Sequence, residues 1–188
     1  MKKSILNARF GTLCLIVLSA GILRLIPHPY NFAPIGAMAL FGGAYFGKRW
    51  QSFLVPLAAL FISDLAVNFV FYQKFVLFHE MVIWVYGAFA LNVIIGSLLI
   101  KKVKVSSVAA ASVSASVLFF VITNFGVWAA SGIVNIYPHN AAGLGVCYLA
   151  GLPYFWRTLA GDLFYSALLF GVFEFAQRRF PVLALKTI

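Results

Sequence analysis

Residues able to do chemistry are scarce in this chain. Its 188 residues include four carboxylates, Asp64, Glu80, Asp162 and Glu174, and three histidines, His28, His79 and His139. Asp64, Asn92, Asn124 and Asp162 fall inside long apolar runs, while Arg24 and Arg157 stand close to the ends of such runs. A carboxylate pair can do acid–base work only beside a nucleophile, a metal or a second reacting group, and no motif here supplies one. The chain has no GxxxxGK[ST], no HExxH, no GxSxG and no CxxC. Nucleotide hydrolysis by the chain itself is excluded on that basis, and no enzymatic activity is expected. The histidines lack the paired spacing of a zinc site, so neither a resident metal nor a cofactor is expected. Cys14 and Cys147 imply no disulfide framework and read as small apolar packing residues.

The elements that must position these residues are membrane-spanning helices. The chain is 63% hydrophobic and 10% charged, with a mean hydropathy of +1.00, whereas a water-soluble domain carries about 25% charged residues. Its expected fold is all-α, an integral membrane bundle of about six transmembrane helices forming a single domain over residues 1–188. The spans are expected at about 10–26, 34–47, 53–72, 80–100, 106–131 and 155–175. Pro27 and Pro29 close the first. The second is short and rich in Gly and Ala, which suits packing against other helices. Residues 132–154, apolar but broken by Gly and Pro, read as an outer loop or a re-entrant segment. The basic start followed by an apolar run resembles a secretory signal, but the run continues past Gly21 with no small-residue cleavage site, so cleavage is not expected.

The net charge of +10 is distributed as a topology signal and does not point to nucleic acid. One side of the predicted bundle carries Lys2, Lys3, Arg9, Lys48, Arg49, Lys101, Lys102, Lys104, Arg178, Arg179 and Lys186; the other carries Arg24, Lys74 and Arg157. Eleven against three places the first side, and both termini, in the cytoplasm.

On that topology the polar residues separate. All three histidines lie on the outer side, and Asp64, Asn124 and Asp162 lie about 12 Å below it. The cytoplasmic half holds almost no buried polar group beyond small hydroxyls. A charge in hydrocarbon is costly and therefore faces the bundle interior, a partner or water. Two readings follow. In one, Arg24 pairs with Asp64 and Arg157 with Asp162, and the pairs fix helix packing. In the other, the same groups line a polar cavity with aromatic walls that opens outward.

The segments RLIPHPYNFAPIGAMALFGGAYFG, SDL in span 3, FH before span 4, TNFGVW in span 5 and GLPYFWRTLAGDLFYSALLFG resemble a group of small six-helix bacterial transport proteins. These are similar to the substrate-binding S components of energy-coupling factor (ECF) transporters, and the closer likeness is to BtuM-like solitary S components that take up cobalamin. The resemblance implies a six-helix bundle in the bacterial plasma membrane that binds a vitamin-sized solute near its outer face. It also implies reorientation in the bilayer, either alone or on a separate ATP-driven ECF module. By position, His28, Asp64 and Tyr86 are similar to pocket residues of the BtuM-like proteins. The cobalt-binding cysteine those proteins can carry near the start of span 4 is absent here, and His79 is the nearest residue able to contact a substrate-borne cobalt.

The function expected is therefore uptake of a small vitamin-like solute, with cobalamin or a related corrinoid the single best candidate. Arg24, His28, Asp64, His79, Asn124, Arg157 and Asp162 would supply polar contacts. Tyr30, Tyr86, Trp128, Tyr137, Tyr154 and Trp156 would supply stacking surfaces. The competing expectation is a non-transporting scaffold or assembly subunit whose polar residues form structural pairs.

Overall fold

The computed structural model describes residues 2–78, 80–134 and 136–184, with the side chains of 2–7 and 132–134 left aside. His79 lies outside the described residues. The described residues form six α-helices: α1 (Lys2–Leu23), α2 (Ile35–Tyr45), α3 (Arg49–Tyr72), α4 (Val82–Leu99), α5 (Val105–Val134) and α6 (Ala141–Arg179). A 3-10 turn, Pro181–Leu183, follows α6. Four of the helices, α3 to α6, are long and apolar enough to cross a membrane; Ala8–Leu23 and Ile35–Tyr45 are shorter apolar helices. The protein is thus all-helical, with the build of a multi-pass membrane protein.

The shortest helix organises the rest. IGAMALFGGAY carries no charge and no face more polar than another, and a helix apolar all round belongs in the interior. Ala37, Met38, Ala39, Leu40 and Phe41 are wholly buried, with α1, α3, α4, α5 and α6 packed around them. Glycines allow that close approach. A Cβ on Gly43 would collide with the backbone of Val93 and Ser97, one on Gly96 with the backbone of Leu40, and one on Gly42 with the ring of Pro56. The small residues of span 2 therefore pack against protein, on α3 and α4.

The brevity of α2 has a consequence for function. Eleven residues rise about 16 Å, near half the thickness of a hydrocarbon core of about 30 Å. Below its first turn the bundle axis is filled by helix. Above that turn the chain is the linker 24–34, held by short turns such as Phe32 N–H to Pro29 O at 3.0 Å. The longer helices continue past this level, and a cavity lies between them.

The 132–154 segment differs from the loop or re-entrant segment expected. Residues 141–179 form one continuous helix, capped at its start by Asn140, whose Oδ1 accepts from Gly143 N–H at 2.8 Å. Pro153 is accommodated inside α6. The glycines that looked like breaks are packing sites, since a Cβ on Gly143 would strike the Pro138 carbonyl and one on Gly151 the Asn124 side chain.

The opposite end of the bundle, where Lys48, Arg49, Lys101, Lys102, Lys104, Arg178 and Arg179 cluster, is also more polar inside than expected. Arg9 is buried, donates to Gln177 Oε1 at 2.7 Å and to the Leu183 carbonyl, and lies over the Phe173 ring. Tyr45 donates to Glu174 at 2.6 Å, and Gln177 donates to the same carboxylate oxygen at 3.1 Å. Charges near helix ends read as topology markers in the sequence, which hid this cluster.

Candidate functional site: a cavity above the central helix

The cavity above α2 has a volume of about 780 Å³, within the range of small-molecule sites. Its rim comes from Pro27, His28, Tyr30 and Asn31 of the linker and from Phe71, Tyr72 and Met81 around the α3–α4 connection. Val67, Val85, Phe119 and Val127 supply apolar wall. Asn31 takes a positive φ of 67°, a conformation that asparagine tolerates better than most residues. His28 turns back on its own loop, its Nδ1 2.6 Å from the Ile26 carbonyl.

One wall carries a charge pair. Arg24 Nη2 lies 2.7 Å from Asp64 Oδ1, with the two side chains 11% and 14% exposed. Arg24 Nη1 also donates to Ser63 Oγ at 2.5 Å, and Tyr86 donates to Asp64 Oδ2 at 2.7 Å. The triad is mutually satisfied, and Arg24 and Asp64 line the cavity while Tyr86 stands behind them. Of the two readings of this pair, structural tie and cavity wall, the geometry accommodates both.

The floor is different. Asp162 is 1% exposed, accepts from Ser116 Oγ–H at 2.6 Å, and sits against Gly36 so closely that no Cβ would fit there. The first-turn amides of Gly36 and Ala37 face its carboxylate, yet Oδ1 has no well-formed hydrogen bond. An acid from α6 thus stands at the N-terminus of α2, where the helix dipole and free N–H groups favour negative charge. Arg157, its expected partner, is exposed and makes no ion pair with it; among the described residues the ion pair is Arg24–Asp64. The reason is helical geometry. Positions five apart on one helix point about 140° away from each other.

The remaining predicted residues lie elsewhere. Asn124, Tyr137 and Tyr154 line a second, smaller cavity of about 450 Å³ with Asn31, Thr123 and Cys147. Trp128 packs on His139, with ring centroids 5.1 Å apart, and donates from Nε1 to Pro138 O at 3.0 Å. It fastens the α5–α6 connection and does not line the main cavity. Trp156 is exposed on α6.

The sequence profile of the family of unknown function DUF6580 matches residues 4–183. The chain belongs to that family. No curated protein matches the chain, and no solved structure does. The DUF6580 match covers the cavity floor, walls and rim, and all six helices apart from the first two residues of α1.

In this DUF6580 chain one floor residue escaped the sequence-based site. Asn92 of α4 lines the main cavity, is 0% exposed, and among the described residues has neither Oδ1 nor Nδ2 in a hydrogen bond. The signal was present: an amide in the middle of an apolar span is costly unless something pairs with it. Its place near the middle of α4 separates it from the outer polar group.

Proposed function

We propose that the chain binds a vitamin-sized solute in the cavity above α2 and carries it across the bacterial plasma membrane, in the manner of an ECF S component. The observation that carries this reading is the cavity floor, lined by Asn92 and Asp162, where Asn92 Oδ1, Asn92 Nδ2 and Asp162 Oδ1 are buried with no well-formed hydrogen bond among the described residues. Native proteins leave few such atoms unpaired, and a ligand accounts for these. The Lys and Arg asymmetry supports a topology with both termini in the cytoplasm and the cavity facing outward.

At about 30 Å³ per water, the volume of about 780 Å³ corresponds to roughly 25 non-hydrogen atoms. A solute of that size would sit wholly inside. A corrinoid, the candidate suggested by the BtuM-like resemblance, is several times larger and would project through the rim between Tyr30 and Tyr72. Energy would come from a separate ATP-driven module or from the solute gradient.

A scaffold role draws support from the Arg24–Asp64–Tyr86 triad, which is complete without a ligand. It leaves the Asn92 amide unexplained. The test is growth and uptake. In a bacterial strain that requires an external vitamin and lacks its own importer, expression should restore accumulation of one member of a panel that includes cyanocobalamin. Failure to accumulate any member, with the protein present in the membrane, contradicts the proposal.

A further inference from the structure

We infer that the cavity floor is a subsite for a positively charged nitrogen head group, formed by Asp162 and Asn92. The inference rests on reading the cavity as a solute site and specifies the class of solute. Among the described residues, three buried side-chain polar atoms lack a hydrogen-bond partner: Asp162 Oδ1, Asn92 Oδ1 and Asn92 Nδ2. Both residues line the main cavity, and both are at least nine-tenths buried.

Topology brings the two side chains to one level. Reversals after α2 and after α3 make α2 and α4 run parallel. Gly96 of α4 abuts Leu40 of α2. Gly43 in turn abuts Val93 and Ser97, so Asn92, one turn before Gly96, lies at the level of the first two turns of α2. The Asp162 carboxylate rests on Gly36. Two acceptors and one donor thus belong to the same cavity floor, at the upper end of the central helix.

Charge selects among ligands. Arg24 is committed to Asp64, so among the described residues Asp162 is the carboxyl group of the cavity without a basic partner. The α2 N-terminus would draw an anion, but Asp162 already stands there and would repel one. An ammonium or a protonated amino-heterocycle supplies what is missing: N–H donors for the two acceptors and a positive charge for the carboxylate. An acceptor atom beside the nitrogen would take the Asn92 N–H, and either orientation of that amide presents one donor and one acceptor. The apolar body of the solute would then lie along Val67, Val85 and Phe119.

The test compares pyridoxamine and thiamine, which are cationic, with pyridoxine, which carries a hydroxyl in place of the pyridoxamine ammonium, and with biotin. Each is titrated calorimetrically onto wild type, Asp162→Asn and Asn92→Leu in lipid nanodiscs. A cationic member should bind wild type, with pyridoxine at least tenfold weaker than pyridoxamine. Asp162→Asn should weaken the cation by roughly 30-fold or more, the loss typical of removing one partner of a buried charged pair. Asn92→Leu should also weaken it and should raise the melting temperature, because it removes two unpaired buried atoms; it carries the test if Asp162→Asn does not fold. Tighter binding of pyridoxine or biotin than of the amines overturns the subsite while leaving the solute cavity in place. Stabilisation of wild type by sodium chloride alone, absent in Asp162→Asn and with no effect of amines, overturns it in favour of a metal cation. Absence of binding by every member and every protein overturns the subsite and counts against the cavity as a solute site as well.

Discussion

Removal of Asp64 offers the sharpest measure of how the cavity wall is built. Its carboxylate holds Arg24 at 2.7 Å with both side chains largely buried, and it accepts the Tyr86 hydroxyl at 2.7 Å. Charge centres about 4 Å apart at an effective dielectric near 20 attract by about 4 kcal/mol. Stripping one partner from such a pair costs about 3–5 kcal/mol, because the other charge stays buried. Arg24 would retain Ser63 Oγ at 2.5 Å, a neutral acceptor that cannot balance its charge. Asp64→Ala is therefore expected to lose about 3–5 kcal/mol. Asp64→Asn should lose about 1 kcal/mol less, since the Tyr86 hydrogen bond survives. Arg24→Met alone should cost a similar amount to Asp64→Ala. The double variant Arg24→Met/Asp64→Ala should cost much less than the two losses added, with a coupling of at least about 2 kcal/mol. The assay is reversible unfolding in mixed micelles, followed by tryptophan fluorescence, across the four proteins of the cycle. Additive losses, with coupling below about 0.5 kcal/mol, would refute the reasoning and make the pair a water-screened contact.

Other perturbations probe the rest of the framework. Gly96→Val should destabilise the bundle by more than about 3 kcal/mol, because its side chain would meet the Leu40 backbone and α2 cannot withdraw; wild-type melting would contradict the close α2–α4 approach. Trp128→Phe should cost about 1 kcal/mol by losing the bond to Pro138 O, and should speed hydrogen exchange at residues 136–140. Unchanged exchange there would count against Trp128 as the fastener. Arg9→Ala removes contacts to Gln177 and Leu183 and should cost about 2–3 kcal/mol. It should also loosen the Pro181–Leu183 turn, and retained protection of that turn would show that Arg9 does not hold it.

Hydropathy made the long helices legible because lipid and protein interior both demand apolar side chains over a fixed length. The burial of α2 was legible for the same reason, since IGAMALFGGAY has no face fit for water. Glycine and proline were misleading in 141–154. In a packed membrane-type helix Gly143 and Gly151 mark close contacts and Pro153 is tolerated, whereas in water the same residues would signal a break. Side-chain pairing was the hardest to read. Arg24 and Asp64 meet because α1 and α3 are neighbours, but Arg157 and Asp162 share a helix and point apart. Asn92 could have been singled out by its depth alone, and Arg9 only by knowing that Tyr45, Glu174 and Gln177 converge on one end of the bundle.

A calorimetric titration of vitamin-sized solutes onto wild type and Thr123→Trp, side by side in nanodiscs, tests the central claim most directly. Thr123 lines both cavities, and an indole at that position would fill space there while Arg24, Asp64, Asn92 and Asp162 themselves stay unchanged. The account predicts one solute bound per chain by wild type and at least tenfold weaker binding by the folded variant. Equal binding by the two proteins, or no binding by wild type, would contradict it.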